Sequence, residues 1–180
     1  MANIVFIATS LDGYIADKNN QVDWLHAIPN PDNLDMGFNE HMQRIDALIM
    51  GRKTMELVIS FDCDWPYTKP VFVLSNTLEQ VPEGYEDKIQ LISGELPELI
   101  NQLRRRGFND LYIDGGITIQ HFLKQDLIDE MLITTIPIVL GSGIPLFGEL
   151  PQPLEFRCKV STRFDNGISQ SHFVRHRAMP

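Results

Sequence analysis

Leu111-Tyr112-Ile113-Asp114-Gly115-Gly116-Ile117-Thr118-Ile119-Gln120-His121-Phe122-Leu123 compresses a strand, a turn and a helix start into one segment. The leading apolar residues make a short buried strand, and Ile119, Phe122 and Leu123 return at helical spacing. Gly115 and Gly116 stand between them. Without side chains there, the backbone can lie against a diphosphate, and a helix starting near Thr118 aims unpaired N–H groups at it. The plain alternative is an ordinary strand-to-helix turn. The spacing is not Gly-x-Gly-x-x-Gly, so a standard Rossmann fingerprint is not indicated.

Working outward, the same design recurs. Ala47–Met50 is an apolar strand that ends at Gly51-Arg52-Lys53-Thr54, and Val71–Leu74 ends at Ser75-Asn76. Gly51 allows a tight turn, the helix after it offers N–H groups, Arg52 and Lys53 add charge and Thr54 a hydroxyl. The alternative is an ordinary helix start with exposed basic residues. In an open α/β sheet, ligands bind beyond the carboxyl ends of parallel strands. If these three strands are parallel neighbours, their tips open onto one face.

The rest of the chain continues the alternation. Ile4–Ala8 reads as a first buried strand and Asp17–Asn33, with Pro29 and Pro31, as mostly loop. Trp24 and Leu25 within that loop are candidates to tuck against the core. Phe38, Met42 and Ile45 predict a helix over 35–45, and Ile89–Ile92 a further strand. Leu96, Leu99, Ile100 and Leu103 predict another helix, closed by Gly107. Met131–Leu140 reads as a long strand, with Pro137 marking a bulge or an edge. Phe156–Phe164 and Ile168–Val174 alternate around Asp165-Asn166-Gly167, a hairpin signal. The expected architecture is one α/β domain over 1–180. Its sheet is mixed and mainly parallel, covered by helices, with a C-terminal antiparallel hairpin.

A net charge of −9 repels nucleic acid and anionic lipid over most of the surface, so any anionic ligand needs a local cluster of donors. The basic run Arg104-Arg105-Arg106 reads as the solvated end of a helix. Cys63 and Cys158 are far apart and outside any Cys-x-x-Cys pattern, which argues against a disulfide framework or a zinc site and fits a cytoplasmic protein. The start lacks a signal-peptide pattern, and no apolar stretch is long enough to span a bilayer. The five histidines have no metal-ligand spacing and read as surface or satisfied residues. Gly141-Ser142-Gly143 precedes no helix pattern and reads as a structural turn.

Taken in order, Ser10-Leu11-Asp12-Gly13-Tyr14-Ile15-Ala16, Met50–Thr54, Val73–Asn76, Ile113–Gly116, Leu127–Glu130 through Pro137, and Gly141-Ser142-Gly143 form a series. This series resembles the dihydrofolate-reductase-like superfamily, in particular the reductase domain of bacterial riboflavin biosynthesis and its stand-alone relatives. The resemblance implies a three-layer α/β/α dihydrofolate reductase-like fold and NADPH as hydride donor. By that resemblance Ala8 and Thr9 lie near the nicotinamide, and Gly13, Tyr14 and Ile15 match a mobile loop covering it. Gly51, Arg52, Lys53 and Thr54 match the adenosine-phosphate segment. Leu74, Ser75 and Asn76 match the edge of the adenine-ribose site, and Gly115, Gly116, Ile117 and Thr118 the diphosphate turn. Thr134 matches a strand threonine that supports the substrate pocket.

The departures from that pattern are specific. Asp114 occupies the first of three glycine positions usual in dihydrofolate reductases, and Ile119 replaces a tyrosine near the nicotinamide. Tyr14 replaces the lysine or arginine usual in riboflavin reductases, which bears on the substrate pocket. Asp35 falls at the gapless distance from Gly51 of the pterin-binding carboxylate. The expected activity is reduction of a C=N or C=O in a pterin- or pyrimidine-like small molecule, as in 5-amino-6-(5-phosphoribosylamino)uracil reductases. Asp35 is the candidate for orienting substrate or relaying the proton, and Asp12 for contacting substrate or fixing the covering loop. Asp35 as a plain helix N-terminal carboxylate is the competing reading. Related domains commonly form homodimers. Two other functions remain open from the sequence: an NADPH-binding sensor or scaffold without catalysis, and a nucleotide-binding transferase.

Overall fold

The computed structural model describes residues 1–30, 33–61 and 63–177; Pro31, expected in a loop, lies outside them. Six strands run parallel: β1 (Asn3–Ser10), β3 (Ala47–Gly51), β4 (Val71–Leu74), β5 (Ile89–Ile92), β6 (Leu111–Asp114) and β7 (Glu130–Ile136). The hairpin of β9 (Phe156–Arg163) and β10 (Ser169–Arg175) adds antiparallel strands, giving the order β5-β4-β3-β6-β1-β7-β10-β9. Two short strands, β2 (Tyr14–Ala16) and β8 (Ile144–Pro145), pair separately.

Helices cover both faces because the central strands are apolar on both sides. Val5, Ile49, Ile113 and Met131 meet α3 (Leu96–Arg105) and α4 (Gly116–Lys124) on one face. Ile4, Leu48, Met50, Val73 and Tyr112 meet α1 (Phe38–Arg44) and α2 (Arg52–Ile59) on the other. This is the three-layer architecture expected. The predicted face of α3 is buried at Leu96, Leu99, Ile100 and Leu103. Gly107, with φ +95°, closes the helix as Phe108 N–H donates to Leu103 and Gly107 N–H to Arg104.

Several expectations need correction. β1 extends two residues past Ala8. The strand expected over 131–140 stops at Ile136, and β7 is interior, flanked by β1 and β10. Pro137 has no N–H to give the ladder, and Ile138 N–H turns back to Ile136 O at 2.8 Å. The helix expected near Thr118 starts at Gly116, and the one expected from Asp35 starts at Phe38. The basic run is not uniformly solvated. Arg104 donates to Asn3 Oδ1, and the Arg106 guanidinium lies 5.0 Å from the Phe72 ring centre. Nor is every histidine exposed or satisfied: His41 is buried and its Nε2 has no partner among the described residues. The Gly141-Ser142-Gly143 turn leads into β8, where Gly143 presses on the Ala16 carbonyl, leaving no room for a Cβ. Among the described residues no helix is long and apolar enough to cross a membrane.

Candidate active site

The three strand tips converge. β4, β3 and β6 are parallel neighbours, with Gly51 opposite Leu74 and Met50 opposite Asp114. From these tips α2 and α4 leave toward opposite faces of the sheet, so their first turns start side by side. The contact is reciprocal. A Cβ on Gly51 would fall 2.8 Å from Thr118 Oγ1, and one on Gly115 would collide with Thr54 Oγ1. Gly115, at φ +91° and ψ 134°, also has a backbone that L side chains avoid. Neither helix start has a side-chain cap, which leaves its first N–H groups open at the sheet's carboxyl edge.

Around this junction the expected phosphate-side residues divide. Gly51, Thr54, Gly115, Gly116 and Thr118 form the junction itself. Ile15 reaches it from β2: its Cδ1 would lie 2.7 Å from a Cβ on Gly116. Arg52 points along the edge, paired with Glu56 at 2.6 Å and 3.5 Å from Thr77 Oγ1. Ser75 Oγ accepts from Leu78 N at 3.0 Å, so its own O–H remains a donor. Lys53, Asn76 and Ile117 are exposed, and Leu74 is half-buried.

On the other side of β1, Ala8 pairs with Thr134 and Thr9 with Thr135. Thr134 is buried, and its Oγ1 accepts from Gln170 Nε2 at 2.9 Å. The same Gln170 nitrogen donates to Met36 O at 2.8 Å. Sequence reading missed Gln170, which sits in an alternating hairpin strand with no motif around it.

The two carboxylates singled out from sequence are both engaged structurally. Asp12 Oδ1 accepts from Ser10 Oγ and Leu140 N, and Oδ2 from Gly141 N, so the carboxylate ties the turn after β1 to the 140–141 segment. Gly13 and Tyr14 complete that turn: Gly13 N–H donates to Ser10 O, and Tyr14 N–H to Ser10 Oγ. Asp35 is exposed and accepts from Gly37 N and Asn39 N, each at 3.0 Å, at the start of α1. The Asn39 and Gly37 amides hold its pKa below the usual carboxylate value. Asp35 thus makes the helix-start contacts of the competing reading, and those two amides favour its ionised form.

Asp114 behaves in the opposite way. It shares a face of β6 with Tyr112, is half-buried, and burial raises its pKa to about 6. Its Oδ1 accepts from Gly115 N at 2.8 Å, and the Tyr67 hydroxyl lies 3.5 Å from Oδ2. Burial followed by the charge on Asp114 raises the pKa of Tyr67. Tyr112 is driven up by the same two causes, and its hydroxyl donates to Phe6 O at 2.9 Å. The sequence had marked Asp114 only as a departure from a glycine pattern.

Residues 3–169 match the family of the RibD C-terminal domain. The chain belongs to that family. The RibD-type domain is 35% identical over 175 residues to YwjB of Bacillus subtilis (strain 168), an uncharacterised protein, covering 96% of this chain and 97% of the relative. A crystal structure from Shewanella sp. PV-4, named as a candidate riboflavin biosynthesis protein, is 60% identical. It superposes with a TM-score of 0.96 over 98% of this chain and 100% of its own. Dihydrofolate reductase from Enterococcus faecalis, solved with NADP(H), is 16% identical. Its TM-score is 0.66, covering 98% of this chain and 97% of that one, a likeness of fold. The RibD-type domain thus has the dihydrofolate reductase-like fold.

Proposed function

We propose that this RibD-type domain is an NADPH-dependent reductase acting on a C=N or C=O of a pterin- or pyrimidine-like small molecule. The observation that carries the reading is the junction at Gly51 and Gly115, where two uncapped helix starts open side by side at the carboxyl edge. Such an edge suits a diphosphate, because free N–H groups and the positive helix ends supply donors that the acidic exterior lacks. The residues fit the cofactor: Gly115 and Gly116 would face the diphosphate, Arg52 with Ser75 the phosphate of the adenosine half, and Ala8 with Thr9 the nicotinamide. When bound, NADPH supplies the hydride.

The chain's own residues have two tasks. The covering strand β2, held by the Asp12 tether and closed onto Gly116 by Ile15, shields the diphosphate side of the bound cofactor from water. Asp114 is the candidate for supplying the proton the acceptor atom needs: burial raises its pKa to about 6, so a fraction stays protonated near neutrality, while Oδ1 accepts from the Gly115 N–H and Oδ2 from the Tyr67 hydroxyl. The same reading takes the protein as cytoplasmic. An edge strand, β9, exposed along nearly its whole length, supports pairing with a second copy.

Titration with NADPH and NADH, followed by fluorescence, tests this. The wild type should prefer NADPH. Arg52→Ala should weaken NADPH about 10-fold or more and NADH little, because a guanidinium reads a phosphate monoester that NADH lacks. Equal losses for both would move that phosphate elsewhere, and no binding of either would remove the reductase reading.

A further inference from the structure

A cavity apart from the strand tips lies at the other end of the sheet. Lys69 leads into β4 and Glu86-Asp87-Lys88 lead into β5, so both groups stand at the amino ends of parallel neighbours. With Trp65, Tyr67 and Gln90 they line a space of about 310 Å³. Small-ligand sites begin near that size, at roughly 300 Å³.

One wall is aromatic and fixed in place. The Trp65 ring centre lies 5.3 Å from that of Tyr67 and 5.3 Å from that of Tyr85, and all three rings pack against the core on the α1–α2 face. The rest of the lining is polar, and its balance favours an anion. Among the described residues neither Lys69 nor Lys88 enters an ion pair. Gln90 Oε1 accepts from Arg106 at 2.9 Å, so its amide hydrogens are what Gln90 offers, with a third cation behind them. Glu86 and Asp87 oppose these cations, but a Glu86 oxygen is already taken by the Gly84 N–H at 2.9 Å. Exposed charges alone would be ordinary solvated surface. Here they border a concave space with a flat apolar wall, which suits a planar ring carrying a carboxylate.

Tyr67 belongs to two places at once. It lines the cavity, and its hydroxyl donates to Asp114 Oδ2 at 3.5 Å, while Asp114 Oδ1 accepts from the Gly115 N–H at 2.8 Å. One side chain therefore joins the cavity wall to the turn where α4 starts. The Tyr67 contact is longer than the usual O–H···O distance of about 2.5–3.0 Å, which leaves it room to shorten. A ring seated against Tyr67 from the cavity pushes the hydroxyl toward Asp114. A shorter bond favours the carboxylate over the acid, and a carboxylate beside Gly115 repels a diphosphate.

We propose that this cavity is an effector site for a small aromatic carboxylate, coupled negatively to the cofactor junction through Tyr67. The coupling rests on the reductase reading; the binding does not. Such coupling is reciprocal: the factor by which the effector weakens NADPH is the factor by which NADPH weakens the effector.

The probe is benzoate, with benzylamine as its charge-reversed counterpart. Each is titrated onto the full chain with and without NADPH, following the two tryptophan indole N–H resonances by NMR, with Trp65→Phe identifying the Trp65 signal. Benzoate should move that signal saturably, and benzylamine should bind about 10-fold or more weaker. Lys69→Met and Lys88→Met should each weaken benzoate about 3-fold or more. Saturating benzoate should weaken NADPH about 5-fold, and NADPH should weaken benzoate equally. Tyr67→Phe, near-isosteric, should keep benzoate binding and remove its effect on NADPH. No saturable shift up to about 10 mM benzoate, or equal binding of benzylamine, overturns the site. Bound benzoate with NADPH affinity unchanged, or an effect that survives Tyr67→Phe, overturns the coupling. Lysine-dependent benzoate binding in a chain that takes no NADPH overturns the reductase reading, and the coupling with it, and leaves the site standing.

Discussion

Half-buried Asp114 and buried His41 are titratable groups with opposite preferences. The fold favours protonated Asp114, raising its pKa from 3.8 to about 6, and neutral His41, lowering its pKa from 6.5 to about 4. Burial is the leading cause for both. His41 stacks on Phe6 at 4.8 Å and meets Tyr112 edge-on at 4.6 Å, a setting that cannot solvate an imidazolium. Above pH 6 the folded Asp114 is charged at a cost. As pH falls toward 3.8 the folded state binds a proton before the unfolded chain does, so stability is regained. His41 runs the other way: below pH 6.5 the unfolded chain binds the proton first, and stability is lost until the folded group titrates near pH 4. The windows overlap, so the two slopes offset each other in the wild type. In Asp114→Asn the His41 loss should be uncovered, with unfolding free energy falling by about 1–2 kcal/mol between pH 6.5 and about 5, above the range where carboxylates with depressed pKa values such as Glu130 and Asp126 add losses of their own. In His41→Phe stability should instead rise over that range. Urea titrations at several pH values check both, and parallel profiles for the two variants would refute this pairing. Neither perturbation was legible in the sequence. His41 is one histidine among five there, and Asp114 differs from other aspartates only through the Tyr67, Tyr112 and Gly115 that the fold gathers around it.

At the scale of elements, the alternation of apolar runs with glycine-bearing tips announced β3, β4 and β6 and the helices that follow two of them. Their adjacency followed from parallel pairing, which buries both faces of each strand. Less readable were elements whose existence depends on a distant partner. The strands β2 and β8 are too short to show a period, and they form because Asp12 and Gly143 bring two loops together. The end of β7 depended on a missing N–H at Pro137, which the sequence contained but its apolar run obscured. The α2–α4 junction allows a sharper test of how the elements fit. Gly13 and Gly115 both have positive φ, +85° and +91°, but a Cβ on Gly13 meets nothing within 4 Å while one on Gly115 collides with Thr54. Gly13→Ala should therefore cost only the backbone penalty, about 1 kcal/mol. Gly115→Ala should cost about 2–4 kcal/mol and weaken NADPH binding, because the first turn of α2 must shift. Adding Thr54→Ala should recover part of the stability. Chemical denaturation with parallel cofactor titration checks this, and equal costs at the two glycines would show that the junction is looser than its geometry states.

For the whole molecule, the strand–helix alternation foretold a covered sheet and the terminal hairpin, but the candidate site draws on segments as distant as Ala8, Asp114 and Thr134, whose proximity follows only from the pairing of β1 with β6 and β7. The net charge of −9 acts at this scale too. On the proposed reductase reading, a polyanionic cofactor approaching such a body is repelled at distances where individual side chains are not yet distinguishable, and only at contact would Arg52 and the helix starts dominate. The two regimes respond differently to salt. At about 0.1 M the screening length is roughly 10 Å, so ions remove the long-range repulsion while leaving partly desolvated contacts more nearly intact. The association rate of NADPH should therefore rise between about 10 and 150 mM salt, and the dissociation rate should rise as well, through weakened contacts at exposed Arg52. Stopped-flow measurement of energy transfer from the tryptophans to the nicotinamide separates the two rates. Arg52→Ala should flatten the salt dependence of dissociation and leave the association slope positive. If association slows with added salt, the carboxyl edge has a positive field strong enough to overcome the exterior at a distance. The local-cradle account, in which backbone amides supply most of the grip on phosphate, would then have to yield to steering by side-chain charge.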